Sequence, residues 1–195
     1  MKIDPDRVRK TAQILRVVMK LFFWLTLFAG LGTIFLCLLL LTGVVKLPAT
    51  GGLGLSSVFN GLIYYKVDLS MYDRLILKPV IIAFITTITL GVALAALIFR
   101  QVGKILRTVE EGCPFTEENG KRLSLMAVAL IIGSVLLNVA EYRFAQAMVD
   151  CFQLNNLEVR YAINVNMLTA GLLLLILAGV FKYGNFLQKE YDSTL

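Results

Sequence analysis

Histidine is absent from the 195-residue sequence, and only three cysteines are present. Zinc sites are assembled from clustered Cys and His side chains, so this composition excludes the usual zinc-ligand spacings. Cys37 lies inside a long apolar run, whereas Cys113 and Cys151 fall in segments that the charge pattern described below assigns to opposite sides of a membrane. We therefore expect no metal ion and no intrachain disulfide.

Charged residues are also scarce. They make up 16% of the chain, against 58% hydrophobic residues, and the mean hydropathy is +0.79. Soluble domains carry about 25% charged residues, and a soluble fold of this size has too little interior to hide so much apolar surface. The composition therefore excludes an ordinary soluble domain and favours an integral membrane protein.

Four apolar runs are each long enough to cross a bilayer, which takes about 20 helical residues. The backbone in lipid must satisfy its own hydrogen bonds, and the runs lack period-two alternation, so they are predicted to be helices. The predicted spans cover about residues 18–45, 79–100, 121–147 and 161–183, with an external loop at 46–78 and a cytoplasmic loop at 101–120. The predicted fold class is all-α, a single integral membrane four-helix bundle over residues 1–195, built from two helical hairpins joined by a cytoplasmic hinge.

Lys and Arg residues are distributed unevenly. Thirteen of the nineteen lie in or beside the N-terminal segment, the central loop and the C-terminal tail. By the positive-inside rule, both termini and the central loop are predicted to be cytoplasmic in a bacterial plasma membrane. The first run exceeds the roughly 7–15 apolar residues of a signal peptide, so an uncleaved span is expected. The basic charges follow the membrane topology and show no DNA-binding pattern, so no direct nucleic acid binding is expected.

Two segments flank the first span. In residues 1–20, apolar side chains at helical spacing predict an amphipathic helix lying at the cytoplasmic interface, either as a topology anchor or as a contact for anionic lipid or a partner. In the loop 46–78, Tyr64, Tyr65 and Tyr72 are typical of the aromatic belt at the outer interface. The length of this loop also leaves open a cap that senses an external ligand.

The most polar stretch, EEGCPFTEENGKRLSL at residues 110–125, separates the second and third apolar runs. Gly112 suits a helix C-cap because it tolerates a left-handed backbone, and Pro114 cannot continue a helix. Thr116 is a favoured N-cap, and the acidic residues after it match the helix dipole. The stretch is therefore predicted to end one helix and begin the next. The helix before it is predicted to carry an apolar stripe at spacings of three and four, namely Val102, Ile105, Leu106 and Val109.

Two segments carry a resemblance to a known family. The hinge motif lies in EGCPFTEENGKRL and consists of Gly112, Pro114, Phe115, Asn119, Arg122 and Leu123. The tail motif lies in VFKYGNFLQKEYDSTL and consists of Phe181, Gly184, Leu187, Gln188, Glu190 and Asp192, with Ser193 intervening before the usual Thr. With these motifs the chain resembles a bacterial family of small four-span membrane proteins that is catalogued as a domain of unknown function, number two-nine-seven-five in that series. The resemblance implies pairing with a small helix-turn-helix regulator, and hence a membrane partner for a transcription factor.

Polar residues near the outer ends of the third and fourth spans form a third candidate site, because polar groups are costly in lipid and often functional. We call them the outer polar cluster: Asn138, Glu141, Arg143, Asn164 and Asn166. They are interpreted either as interhelical hydrogen-bonding groups with a snorkelling Arg or as the lining of a small-ligand cavity. The sequence shows no nucleophile–base pair, metal-ligand set or phosphate-binding loop, so neither catalysis nor a cofactor is expected.

The distinctive residues are cytoplasmic, and this favours a non-enzymatic regulatory or scaffold protein. Its hinge and tail motifs would bind a soluble partner, such as a transcription regulator, under the control of an external signal. The alternative is a small-molecule-binding or lipid-binding protein, or a transporter subunit, that uses the outer polar cluster. With four spans, transport would require a homo-oligomer. A third interpretation is that the hinge only holds two helical hairpins together.

Overall fold

The computed structural model describes residues 5–43, 53–54, 66–67, 74–153, 158–161 and 163–193. Four long helices dominate it: α1 Pro5–Thr42, α2 Arg74–Glu110, α3 Glu117–Phe152 and α4 Val165–Ser193. All four are long and apolar enough to cross a membrane. The predicted all-α four-helix class is therefore confirmed, and the chain is a multi-pass membrane protein.

A short β-hairpin lies within the predicted external loop. Its strands β1 Leu53–Gly54 and β2 Lys66–Val67 pair in antiparallel fashion, with Leu53 opposite Val67 and Gly54 opposite Lys66. Nothing in the sequence indicated this pairing, since two-residue strands are too short to produce a period-two pattern. Tyr64, Tyr65 and Tyr72, and with them the predicted aromatic belt, lie outside the described residues.

The separate interfacial helix predicted for residues 1–20 is wrong. From Pro5 onward the basic segment is the first part of α1, which continues without a break into the apolar run and ends at Thr42. Pro5 occupies the first helical position, where its fixed backbone angle is favourable. No Gly or Pro occurs between residues 6 and 29, so nothing in this segment interrupts the helix.

The chain divides into two compact units. The hinge unit comprises Met1–Phe28, Val92–Val135 and Ile163–Leu195, and the loop unit comprises Ala29–Gly91 and Leu136–Ala162. The hinge unit contains part of every helix, so the four-helix arrangement is present within this unit alone. In the loop unit, a buried cluster of Leu77, Val80, Met148 and Phe152 joins α2 to α3.

The core of the hinge unit lies where α2, α3 and α4 meet. Leu123, Met126 and Ala178 are buried there. Packed around them are Leu97, Ile98, Val102, Ile105, Leu174 and Phe181. Two members of the predicted stripe on α2, Val102 and Ile105, therefore face the core. Because lipid chains are as apolar as these side chains, close van der Waals packing stabilises such a core more than expulsion from water does.

The N-terminal half of α1 joins this bundle through α2. The rings of Phe22 and Phe99 are stacked with their centroids 5.8 Å apart. Two turns nearer the N-terminus, the guanidinium of Arg16 lies 3.0 Å from a carboxylate oxygen of Glu110. That oxygen is buried and accepts no directed hydrogen bond within the described part of the chain, so the contact is an ion pair only. These contacts bring the start of α1 to the end of α2, where the hinge motif begins.

Candidate functional site

Helix α2 ends in a Schellman motif at Gly112. This residue has a φ of 82°, its N–H donates to the carbonyl of Val109 at 3.1 Å, and the N–H of Cys113 donates to the carbonyl of Thr108 at 2.9 Å. These two bonds satisfy carbonyls that the end of a helix would otherwise leave unpaired. The C-cap predicted from Gly112 is confirmed.

The glycine at position 112 also leaves room for α1. A Cβ atom added there would lie 3.0 Å from Nη2 of Arg9. Both the left-handed backbone and this close approach therefore disfavour a side chain at Gly112. The contact places Arg9, from the basic N-terminal segment, directly over the end of α2.

Helix α3 begins with Thr116 as its N-cap. The hydroxyl oxygen of Thr116 accepts a hydrogen bond from the N–H of Asn119 at 3.3 Å. Glu117 and Glu118 then occupy the first turn, where carboxylates interact favourably with the positive end of the helix dipole. The predicted restart of the helix is confirmed, and the six residues Glu111 to Thr116 form the connection between the two helices.

Asn119 is the best-connected residue of the hinge motif, and its side chain is 0% exposed. Its Nδ2 donates to the carbonyl of Pro114 at 2.9 Å and to Oγ1 of Thr108 at 2.5 Å. Its Oδ1 accepts a hydrogen bond from Nη1 of Arg122 at 2.9 Å. The amide thus uses both of its N–H groups and its oxygen. One side chain therefore links the last turn of α2, the turn itself and the first turn of α3.

Arg122 and Thr108 extend this network on either side of Asn119. Nη1 of Arg122 also donates to the carbonyl of Lys104 at 3.3 Å, and Nη2 donates to the carboxylate of Glu118. The Thr108 hydroxyl donates to the carbonyl of Ile105 at 2.7 Å. The side-chain amide of Asn119 and the hydroxyl of Thr108 therefore both have hydrogen-bond partners, and a buried network stabilises a fold when its polar groups are paired in this way.

The tail motif packs directly against the hinge motif. The rings of Phe115 and Phe181 have centroids 5.3 Å apart and planes tilted by 48°. One turn further along α4, a Cβ atom added to Gly184 would lie only 2.7 Å from Cδ1 of Phe115. The ring of Phe115 therefore rests on the bare backbone of Gly184, between α3 and α4. Phe181 also packs against the buried core cluster to which Leu123 belongs, so the contact is continuous with the core of the hinge unit.

Charged side chains surround this contact. Glu117 pairs with Lys121 at 2.8 Å and approaches Lys189 of α4 at 3.9 Å. The side chain of Lys182 crosses Gly120, where an added Cβ atom would lie 2.8 Å from its Cγ. Exposed ion pairs of this kind contribute little stability, but they show which turns of α3 and α4 are neighbours.

The remaining members of the tail motif lie on the exposed side of α4. The side chains of Leu187, Gln188 and Glu190 are exposed, and that of Asp192 lies outside the described side chains. The hinge and tail motifs, which are far apart in the sequence, thus form one structure that we call the hinge–tail site. The contact between the two motifs was not predicted. The sequence signal that could have indicated it is Gly184, one turn after Phe181 in α4, because a glycine allows close helix packing.

The outer polar cluster is distributed over both units. Asn138, Glu141 and Arg143 lie on α3 in the loop unit, and the last two are exposed. Asn164 and Asn166 are exposed in the hinge unit, where Oδ1 of Asn164 accepts a hydrogen bond from the N–H of Met167 at 3.0 Å. Asn164 therefore caps the N-terminus of α4, a structural role that was not predicted. Across the described residues, no three potential metal-ligating side chains lie together.

The four long helices, with the hinge between the second and the third, define the class of the chain: it is a multi-pass membrane protein. Comparison with known proteins then gives the family. The sequence model of the family described as "Protein of unknown function (DUF2975)" matches residues 15–195, and the chain belongs to this family. Both halves of the hinge–tail site lie within the matched range. No curated protein and no solved structure matches the chain.

Proposed function

We propose that the chain is a non-enzymatic regulatory or scaffold protein of the bacterial plasma membrane, with both termini in the cytoplasm. Its hinge–tail site binds a soluble partner, a transcription regulator of the helix-turn-helix type. The observation that carries the proposal is the packing of Phe115 on Phe181 and Gly184. It unites the two segments that distinguish the family into one structure, which is what a shared binding site requires.

The surface chemistry of the hinge–tail site supports a protein partner. Phe115 keeps 41% of its surface exposed although its ring is packed on α4. Two exposed ion pairs lie on either side of Phe115 in the sequence: Arg107 with Glu111 at the end of α2, and Glu117 with Lys121 at the start of α3. An exposed aromatic residue with charged neighbours is typical of a protein interface, where an apolar centre is surrounded by a polar rim.

The architecture also offers a route for an external signal. Helix α2 ends at the hinge and helix α3 begins there, and the hydrogen bonds of Asn119 connect the two helix ends. A change in the packing of either helix would therefore move the turn that carries Phe115. Such coupling needs two arrangements of the hinge that differ in affinity for the partner.

A binding experiment tests this function. The full chain, reconstituted in lipid nanodiscs, is titrated with a small helix-turn-helix regulator of the kind that the family resemblance implies. We expect binding by the wild-type chain and a loss of roughly tenfold or more in affinity for Phe115→Ser, because an aromatic residue at the centre of an interface dominates the binding energy. Glu141→Ala, which alters the outer polar cluster, should leave the affinity unchanged.

The opposite pattern would support the alternative class. If the wild-type chain does not bind the regulator, the regulatory function is wrong. If Glu141→Ala abolishes the binding or flux of a small molecule while Phe115→Ser has no effect, the outer polar cluster is the working site. Circular dichroism of each variant confirms that it has kept its helices, so that a loss of binding reports on the surface.

A further inference from the structure

Helices α1 and α2 carry five basic residues on neighbouring faces at the hinge end of the bundle. We call this set the basic patch: Arg16, Lys20, Arg100, Lys104 and Arg107. The two residues on α1 are four positions apart, and the three on α2 follow one another at spacings of four and three, so each set occupies one helix face. All five residues belong to the hinge unit.

Two contacts between the helices bring these faces together. The guanidinium of Arg16 lies 3.0 Å from a carboxylate oxygen of Glu110, which follows Arg107 by three residues and therefore lies beside it on α2. At the membrane end of the patch, Phe22 stacks on Phe99 with the ring centroids 5.8 Å apart. The basic faces of α1 and α2 therefore lie side by side along the contact between the two helices.

The basic patch has more positive charge than the chain itself neutralises. Two of its five cations are paired, one with Glu110 and the other with Glu111. The remaining three, Lys20, Arg100 and Lys104, are exposed and have no ion-pair partner in the described part of the chain. The patch can therefore bind an anion without breaking an existing ion pair.

The unpaired cations lie at the depth of the lipid headgroups. Lys20 directly precedes the first apolar run and Arg100 directly follows the second, so both mark the edge of the hydrocarbon. Lys104 lies four residues further along α2, about 6 Å at 1.5 Å per residue. The headgroup layer on each side of a bilayer is about 5–8 Å thick. The anions available within this layer are lipid phosphates, which a soluble protein or nucleic acid does not replace.

An aromatic residue continues the patch on its apolar side. Trp24 follows Lys20 by four residues, so the two share a face of α1, and its side chain is 49% exposed. Its ring stacks on that of Phe28 with the centroids 5.9 Å apart. Tryptophan is typical of the boundary between headgroups and hydrocarbon. A lipid whose phosphate contacts the patch therefore extends its acyl chains beside Trp24.

We propose that the basic patch is a binding site for an anionic phospholipid. The unpaired Lys20, Arg100 and Lys104 bind the phosphate oxygens, while the ion pair of Arg16 with Glu110 holds α1 against α2. A zwitterionic lipid is a poorer ligand, because the cations of the patch repel its ammonium group. Basic clusters beside a membrane span are known to attract anionic lipids. The site contains no residue of the hinge and tail motifs, so this inference does not depend on the proposed function.

Fluorescence quenching of Trp24 tests the site, because Trp24 is the only tryptophan of the chain. The full chain is reconstituted in phosphatidylcholine vesicles that contain a minor fraction of brominated phosphatidylglycerol or, for comparison, of brominated phosphatidylcholine. Bromine on an acyl chain quenches an indole that the chain contacts. We expect stronger quenching by the phosphatidylglycerol at equal fractions, and the difference should shrink as salt is raised.

Variants that remove one positive charge locate the site. Arg100→Gln and Lys104→Gln should each lower the apparent affinity for brominated phosphatidylglycerol roughly fivefold, which corresponds to about 1 kcal/mol for one basic residue near the membrane surface. Lys182→Gln is the matched control, because Lys182 directly follows the fourth apolar run as Arg100 follows the second, but lies on α4 outside the patch. Its affinity should equal that of the wild type.

Three results would overturn the inference. The first is equal quenching by the two brominated lipids in the wild-type chain, and the second is unchanged affinity in both Arg100→Gln and Lys104→Gln. The third comes from adding excess inorganic phosphate: quenching by brominated phosphatidylglycerol should persist, and its loss would show a site for free phosphate instead. Circular dichroism of each variant verifies that the helices are intact.

Discussion

Replacing Asn119 with Leu should lower the free energy of unfolding by about 3 kcal/mol. Leucine fills the space of the amide but removes its bonds to Pro114, Thr108 and Arg122. The carbonyl of Pro114 then loses its donor in a place that the new side chain keeps dry, and each buried polar group left unpaired costs about 1–3 kcal/mol.

A nearly isosteric variant separates the hydrogen bonds from the packing. Asn119→Asp keeps the acceptor for Arg122 but turns an oxygen toward the carbonyl of Pro114, so it should cost about 2 kcal/mol. The Thr108 hydroxyl could donate to the new carboxylate only by giving up its bond to Ile105. We expect the order of stability to be wild type, then Asn119→Asp, then Asn119→Leu.

The measurement is unfolding of the full chain in mild detergent micelles, followed by circular dichroism during an SDS titration. Asn166→Leu is the matched control, because Asn166 is exposed in the first turn of α4, and surface substitutions typically change stability by less than about 0.5 kcal/mol. A loss below about 1 kcal/mol for Asn119→Leu would contradict the structural role assigned to Asn119.

Adding a single methyl group at Gly184 should lower the free energy of unfolding by about 2 kcal/mol. The new Cβ of Gly184→Ala would lie 2.7 Å from Cδ1 of Phe115, so the aromatic ring has to move off α4. This loss opposes the roughly 1 kcal/mol by which alanine is the better helix former. The same variant should weaken binding of the regulator, because Phe115 shifts.

Gly179 provides the control within the same helix. A Cβ atom added at Gly179 meets nothing within 4 Å, so Gly179→Ala should be neutral or stabilising by up to about 1 kcal/mol. The opposite signs expected for the two Gly→Ala changes distinguish a specific contact from a general effect of alanine on α4.

A double-mutant cycle completes the test. Phe115→Ala removes the ring that the methyl group would strike, so Gly184→Ala should cost at least about 1 kcal/mol less in the Phe115→Ala background than in the wild type. If the two losses simply add, Phe115 and Gly184 are not in contact. The unfolding assay used for Asn119 gives all four free energies.

The local structure of the hinge was predictable because each signal acts through the backbone next to it. Gly112, Pro114 and Thr116 determine the end of α2 and the start of α3 by their own backbone preferences, and all three act as predicted. The long apolar runs likewise predicted four helices, since length and composition suffice for a membrane span.

Contacts between distant segments were not predictable in the same way. Asn119 was singled out from the sequence, but its partner Thr108 lies on another helix, across the turn. The contact of Phe115 with Gly184 depends on how α3 and α4 align, which no local pattern encodes. The prediction of a separate helix for residues 1–20 was wrong because amphipathic spacing does not show where one helix ends and the next begins.

The central claim is that the hinge–tail site lies on the cytoplasmic side and is covered by a soluble protein. Cys113, a free and exposed thiol in the hinge, reports on both parts of this claim. In a Cys37→Ala/Cys151→Ala background, the rate at which a membrane-impermeant maleimide labels Cys113 is measured in sealed spheroplasts and in inside-out vesicles.

We expect no labelling of Cys113 in spheroplasts, rapid labelling in inside-out vesicles, and slower labelling once the regulator is added to the vesicles. Labelling in sealed spheroplasts would place the hinge outside the cell and contradict the account, as would a labelling rate in the vesicles that saturating regulator leaves unchanged.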